Sequence, residues 1–217
     1  MNAEYTTRQI STADTAKEIR KALRAQWPTV TFSVRKGTGT AALWISIAWV
    51  DGPREDQVKR IVERFEGSTH DSMTESYQQN PDQLVVTKAG ELPEVVHYSC
   101  CGTALSRSIS EDATRYVAQR VADQNTHLFA DNHAPDFTDM SARAIYTALM
   151  RVEAPDEHVT YNHHIIRNEF NDLEIVVSAA CNRTDFTVDY DADDRCPLCG
   201  EHIAEPHDPL CPRADAD

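Results

Sequence analysis

The stretch TVTFSVRKGTGTAALWISIAWVDGP, residues 29–53, decides the fold. Its first part alternates, with Val30, Phe32 and Val34 on one side, the period-two pattern of a half-buried strand. Its second part alternates again, and Leu43, Ile45, Ile47 and Trp49 share a face. KGTGT between them is a flexible, glycine-rich turn, and DGP stops the second strand. Two alternating runs joined by a short turn predict an antiparallel pair with one face on a core. The apolar run 41–50 is too short to cross a bilayer.

Outward from this pair, both flanks read as amphipathic helices. Upstream, Ala16, Ile19 and Leu23 form an apolar stripe over residues 12–26. Ser11, Thr12 or Asp14 can cap its orphan amides, and Trp27-Pro28 ends it. Downstream, Pro53 suits a first helical turn. Val58, Ile61, Val62 and Phe65 then recur at i, i+3, i+4 and i+7, and Gly67 closes the helix. Residues 68–82 read as a loop. QLVVTK (83–88) and EVVHYSCCGTALSR (94–107) read as two more strands, and Ser110 caps a helix that ends near Asp123. The order α-β-β-α-β-β-α predicts an α+β fold in which a mostly antiparallel sheet is layered with helices.

The second half is smaller. NTHLFADNHAPDFTD (125–139) reads as a polar linker, and residues 140–152 as a helix. HVTYNHHII (158–166) and LEIVVSAAC (173–181) predict a hairpin, and DFTVDY (185–190) a last strand. Three segments are expected: an α+β domain over 1–126, an acidic α+β extension over 127–190, and a tail over 191–217.

Charge divides along the same line. Residues 1–110 carry 13 acidic and 13 basic side chains, whereas residues 111–217 carry 22 and 8. The whole net charge of −14 therefore lies in the second half. An acidic half is ordinarily a solvated surface; its sharper reading is a face for a basic partner, or mimicry of nucleic acid. MNAEYTTRQI has no basic start followed by an apolar core, so no signal peptide is expected. Paired cysteines without such a signal fit a reducing, cytoplasmic compartment and no membrane partner.

RCPLCGEHIAEPHDPLCPR (195–213) carries the chemistry of a metal site. Cys196, Cys199, His207 and Cys211 give C-x2-C-x7-H-x3-C. Zinc takes four such ligands in a tetrahedron, and C-x-x-C presents two thiolates from one tight turn. His202 is the alternative fourth ligand. Four protein ligands leave no place for water, so the zinc would be structural, supplying folding energy to a segment with little core.

Other constellations are weaker. Lys17, Arg20, Lys21 and Arg24 form a basic stripe opposite the apolar stripe of the first helix, and Arg60 and Arg64 add a pair on the second. They read as a solvated face or as a grip on phosphates. Trp27 and Trp44 read as core or as stacking platforms. Cys100 and Cys101 read as structural thiols on opposite faces of a strand. His70-Asp71 and the group His158, His163 and His164 beside Tyr161 are the remaining acid/base or metal candidates. No phosphate-binding loop, nucleophile elbow, zinc-protease or dinucleotide signature occurs, and no catalytic residue is assigned.

FSVR (32–35), WVDGP (49–53), FEG (65–67), HDSMTES (70–76) and SRSIS (106–110) together resemble the large polyvalent protein-associated domain numbered twenty-nine in its series. The resemblance covers about residues 13–125. It implies an origin in bacteriophages, plasmids or conjugative elements, in proteins that travel with invading DNA and counter host defences, and it brings no catalytic residues. The expectation is a non-enzymatic accessory protein that engages a host protein. A nucleic-acid-binding accessory protein is the second reading, and an enzyme of unassigned class the third.

Overall fold

The computed structural model describes residues 7–71, 73, 75–86, 93–154, 159–162, 164–166 and 172–190, at 70, 71, 164 and 165 by their backbone. Contacts divide the chain into two units. The first comprises residues 1–50 and 55–108, the second 51–54 and 109–217.

The first unit opens with β1 (Thr7–Ile10) and α1 (Thr12–Gln26). Ser11 caps α1, its hydroxyl accepting from the Asp14 amide at 3.2 Å. Ala16, Ile19 and Leu23 are buried, as their spacing predicts. β2 (Ser33–Lys36) and β3 (Trp44–Val50) pair antiparallel, Val34 opposite Ile47. Ile45, Ile47 and Trp49 are buried, while Ser46, Ala48 and Val50 face solvent. Burying each of the two isoleucines contributes about 1.5–3 kcal/mol, so the register of β3 is firmly set. α2 (Glu55–Val62) buries Val58 and Val62 against the same core.

The remainder of this unit departs from expectation. EVVHYSCCGTALSR is two strands, β7 (Glu94–Tyr98) and β8 (Gly102–Ser108), in different sheets. β8 runs parallel to β3, Trp44 opposite Gly102, so the sheet β2-β3-β8 is mixed rather than mostly antiparallel. The break at 99–101 is held by Gly67, whose amide donates to the Cys100 carbonyl at 2.7 Å. A Cβ at residue 67 would lie 1.7 Å from the Tyr98 carbonyl oxygen. Gly67 is therefore needed for close backbone approach, whereas the helix it was expected to close ends earlier, α2 at Val62 and a following 3-10 turn at Phe65 with Glu66 as its cap.

Residues 68–82, expected as a loop, contain the hairpin of β4 (Ser68–Asp71) and β5 (Ser76–Gln79). β5 is exposed throughout, so no apolar alternation marks it. A second sheet has the order β1-β7-β6, with β6 at Gln83–Val85. β1 joins it by parallel pairing with β7 and buries only Ile10, which leaves little hydrophobic signal.

The second unit is built on helices. α3 (Glu111–Gln124) buries Val117, Ala118, Val121 and Ala122. α3 packs in this unit rather than closing a first domain at residue 126, because its apolar face meets α4 (Ala142–Leu149) and α5 (Leu173–Arg183). LEIVVSAAC, expected as a strand, is α5: Leu173, Val176, Val177, Ala180 and Cys181 are buried at helical spacing. The β-branched run Ile175-Val176-Val177 favours extended backbone locally, and packing overrides it. DFTVDY is not a strand either. The Asp185 carboxylate accepts from the Thr187 amide at 2.9 Å and its hydroxyl at 2.6 Å, closing a side-chain turn. HVTYNHHII, expected as one strand of that hairpin, instead holds two, β9 (Thr160–Tyr161) and β10 (His164–Ile165), which pair with each other.

Buried Asn125 ties α3 to β9. Its Nδ2 donates to the carbonyls of Val121 and Thr160, both at 2.7 Å, and its Oδ1 accepts from the Thr160 amide at 2.9 Å. One amide thus completes both a helix end and a strand edge.

Candidate binding surface

The basic stripe is where the helix places it. Lys17, Arg20, Lys21 and Arg24 are all exposed on α1. Two of the four already have partners within the chain. The Lys17 ammonium lies 2.7 Å from the Asp14 carboxylate, which is held below the usual carboxylate range by that hydrogen bond and by the Ser11 hydroxyl. Arg20 donates to the Val34 carbonyl at 2.7 Å, covering an edge of β2. Arg35 and Lys36 on β2 are exposed as well. On α2, Arg60 pairs with Asp56 at 2.6 Å; Arg64, expected on the same helix, lies in the 3-10 turn after it, its guanidinium 4.9 Å from the centre of the Phe65 ring.

The other candidates separate. Trp27 is core-side, its ring 5.9 Å from Phe32, which lies 5.8 Å from Trp49. Cys100 and Cys101 lie between strands rather than within one. Cys100 is fully buried, its thiol donates to the Gly102 carbonyl at 3.3 Å, and burial pushes its pKa up to about 11. Cys101 is half-buried. The backbone of His70 and Asp71 lies in β4 opposite Tyr77 and Ser76, and that of His164 in β10. His158, His163 and the tail candidates Cys196, Cys199, His202, His207 and Cys211 lie outside the described residues. Among the described residues no cluster of His, Cys, Asp or Glu is placed to hold a metal.

One feature of the first unit is absent from the sequence reading. A depression of about 320 Å³ lies beside β8, bounded by Trp44, Glu55, Lys59, Glu66, Tyr77 and Leu105. Its floor is built from close contacts. Trp44 lies over Gly102 so tightly that a Cβ there would sit 2.8 Å from the ring. Oε1 of Glu66 accepts from the Thr103 amide at 2.8 Å and the Thr103 hydroxyl at 2.6 Å. Ser68 donates its hydroxyl to the Cys101 carbonyl at 3.0 Å. The carboxylate of Glu66 and the hydroxyls of Ser68 and Thr103 are thus engaged in holding the wall, an arrangement suited to binding rather than to proton transfer. α2 supplies Glu55 and Lys59 from its exposed face. Tyr77, 56% exposed on β5, gives an aromatic rim. No spacing in the chain announces this site, because its residues come from five separate segments.

Residues 10–112 match the model of the family described as large polyvalent protein associated domain 29. The match spans α1 to the start of α3 and includes every residue of the depression. No curated protein and no solved structure matches the chain. The domain is one found in polyvalent proteins associated with phages and mobile elements.

Proposed function

Taking residues 10–112 as a domain of that family, we propose that this is a non-enzymatic accessory protein. A phage or other mobile element supplies it, and it works in the host cytoplasm by docking a host protein, so modulating a host function such as defence. The observation that carries this reading is the depression beside β8. It combines two aromatic rings, a leucine and three charged groups, and the polar groups of its wall are fixed by hydrogen bonds within the chain. Such a mixture of apolar anchors and a polar rim suits protein recognition. The tail Cys196, Cys199, His207 and Cys211 binds a structural zinc in this account.

The test is site-directed photo-cross-linking in host cells. A photoreactive phenylalanine analogue replaces Tyr77 in the full chain, with Tyr116 of the second unit as the exposed control position. A host protein cross-linked at 77 and not at 116 supports docking at the depression. Its absence at 77 removes the reading.

The exposed stripe on α1 favours a second reading, a nucleic-acid grip. It requires binding to DNA or RNA that weakens steeply with salt and falls further in an Arg20→Ala, Arg24→Ala double variant.

A further inference from the structure

The way β8 meets the depression identifies the form of the partner, given the docking reading above. Among the described residues β8 pairs with β3 alone and stands last in its sheet. In a parallel ladder, alternate residues of a strand direct both N–H and C=O to the same neighbour. The Thr103 amide donates to Glu66, away from β3. Thr103 and Leu105 therefore turn their backbone groups outward, while Gly102, Ala104 and Ser106 serve the pairing with β3. Thr103 and Leu105 both line the depression. The carboxylate of Glu66 stands where the carbonyl of an added strand would stand.

The geometry points to β8 as a strand-addition site that takes an extended peptide segment of a partner protein. The Leu105 backbone donates and accepts, and the Thr103 carbonyl accepts beside it while its amide stays with Glu66, a pattern that another extended backbone matches. Trp44, packed on Gly102, and Tyr77 offer room for one apolar side chain of that segment. Glu55 and Glu66 against Lys59 leave one carboxylate in excess, so the segment carries a basic side chain beside the apolar one. Leu84 and Val86, also exposed in this unit, lie on or beside β6, away from the residues that bound the depression.

The experiment uses the full chain and a phage-displayed library of random decapeptides. Selected peptides are resynthesised with single N-methylated amides and titrated against the protein. Methylation at every second residue should weaken binding by roughly tenfold, because it deletes a hydrogen bond to β8, with little effect at the residues between. The Leu105 amide should gain at least tenfold protection from hydrogen exchange on binding. Glu55→Lys should weaken the selected peptides more at low salt than at high salt. Leu105→Pro removes the outward N–H without touching the β3 pairing, and should abolish binding while the fold persists. If that variant does not fold, the methylation scan on the unaltered protein decides.

A library that yields no peptide binder, or binders whose methylation scan shows no alternation, overturns strand addition. A host protein cross-linked at Tyr77 that leaves the Leu105 amide unprotected also overturns it while leaving the docking reading intact. No cross-link at Tyr77 removes the docking reading itself.

Discussion

Asn125→Ala is the substitution that most sharply probes how the second unit is held. Asn125 is fully buried. It makes three side-chain hydrogen bonds, to Val121, to the Thr160 carbonyl and from the Thr160 amide. Each contributes about 1 kcal/mol net, and truncation leaves both backbone groups of Thr160 without that partner. The expected loss is therefore about 3–4 kcal/mol, a large part of the roughly 5–15 kcal/mol that stabilises a domain. Urea unfolding followed by far-ultraviolet circular dichroism measures it. The tryptophans, Trp27, Trp44 and Trp49, all lie in the first unit, so their emission reports separately on that unit. Asn125→Asp keeps the acceptor for Thr160 but sets a carboxylate against two carbonyl oxygens. Burial raises the folded-state pKa of that acid above its unfolded value. The added penalty is therefore present at neutral pH and relieved as pH falls through the folded-state pKa. A loss below about 1 kcal/mol for Asn125→Ala would refute the assigned bonding.

Other expectations rest on single features. Gly67→Ala should abolish or severely reduce soluble folded protein, because its Cβ has no room beside the Tyr98 carbonyl; near-wild-type thermal stability would contradict the close approach. Cys101 should react with iodoacetamide well before Cys100, read by peptide mass spectrometry, since Cys100 is buried with its pKa near 11. Folded Cys100 keeps its proton to higher pH than an unfolded thiol. Its contribution to stability is thus fully present below the ordinary thiol range and is lost as pH rises through about 11, a trend alkaline unfolding can follow. Native mass spectrometry should find one zinc per chain, lost in Cys199→Ser; a metal-free native chain would sink the tail site.

Much of the core of the first unit was legible because its signals are local. Ala16, Ile19 and Leu23 on α1 are buried as their period names, and so are Ile45, Ile47 and Trp49 on β3, while Leu43, expected on the same face, lies just before the strand and is exposed. The pairing partner of β3 was not legible. Nothing in EVVHYSCCGTALSR marks the break that sends β7 and β8 to different sheets; a distant residue, Gly67, imposes it. β1, β4 and β5 escaped because they bury almost no apolar side chain and stand on backbone pairing. α5 was misread because its β-branched residues mimic a strand until the buried positions 173, 176, 177, 180 and 181 are counted as a helix face. Of the candidate sites, the stripe on α1 could be read directly from i, i+3, i+4, i+7 spacing. The depression beside β8 could not, since it exists only once Trp44, Glu66, Tyr77 and Leu105 are brought together by tertiary contacts.

The open outer edge of β8 is the claim on which the account turns. Residue-resolved hydrogen exchange on the unliganded full chain tests it most directly. The Ala104 and Ser106 amides, bonded to β3, should exchange slowly, while the Leu105 amide between them exchanges orders of magnitude faster. Equal, strong protection at 104, 105 and 106 would mean that the edge is already occupied within the protein, and would contradict both the strand-addition site and the geometry from which it follows.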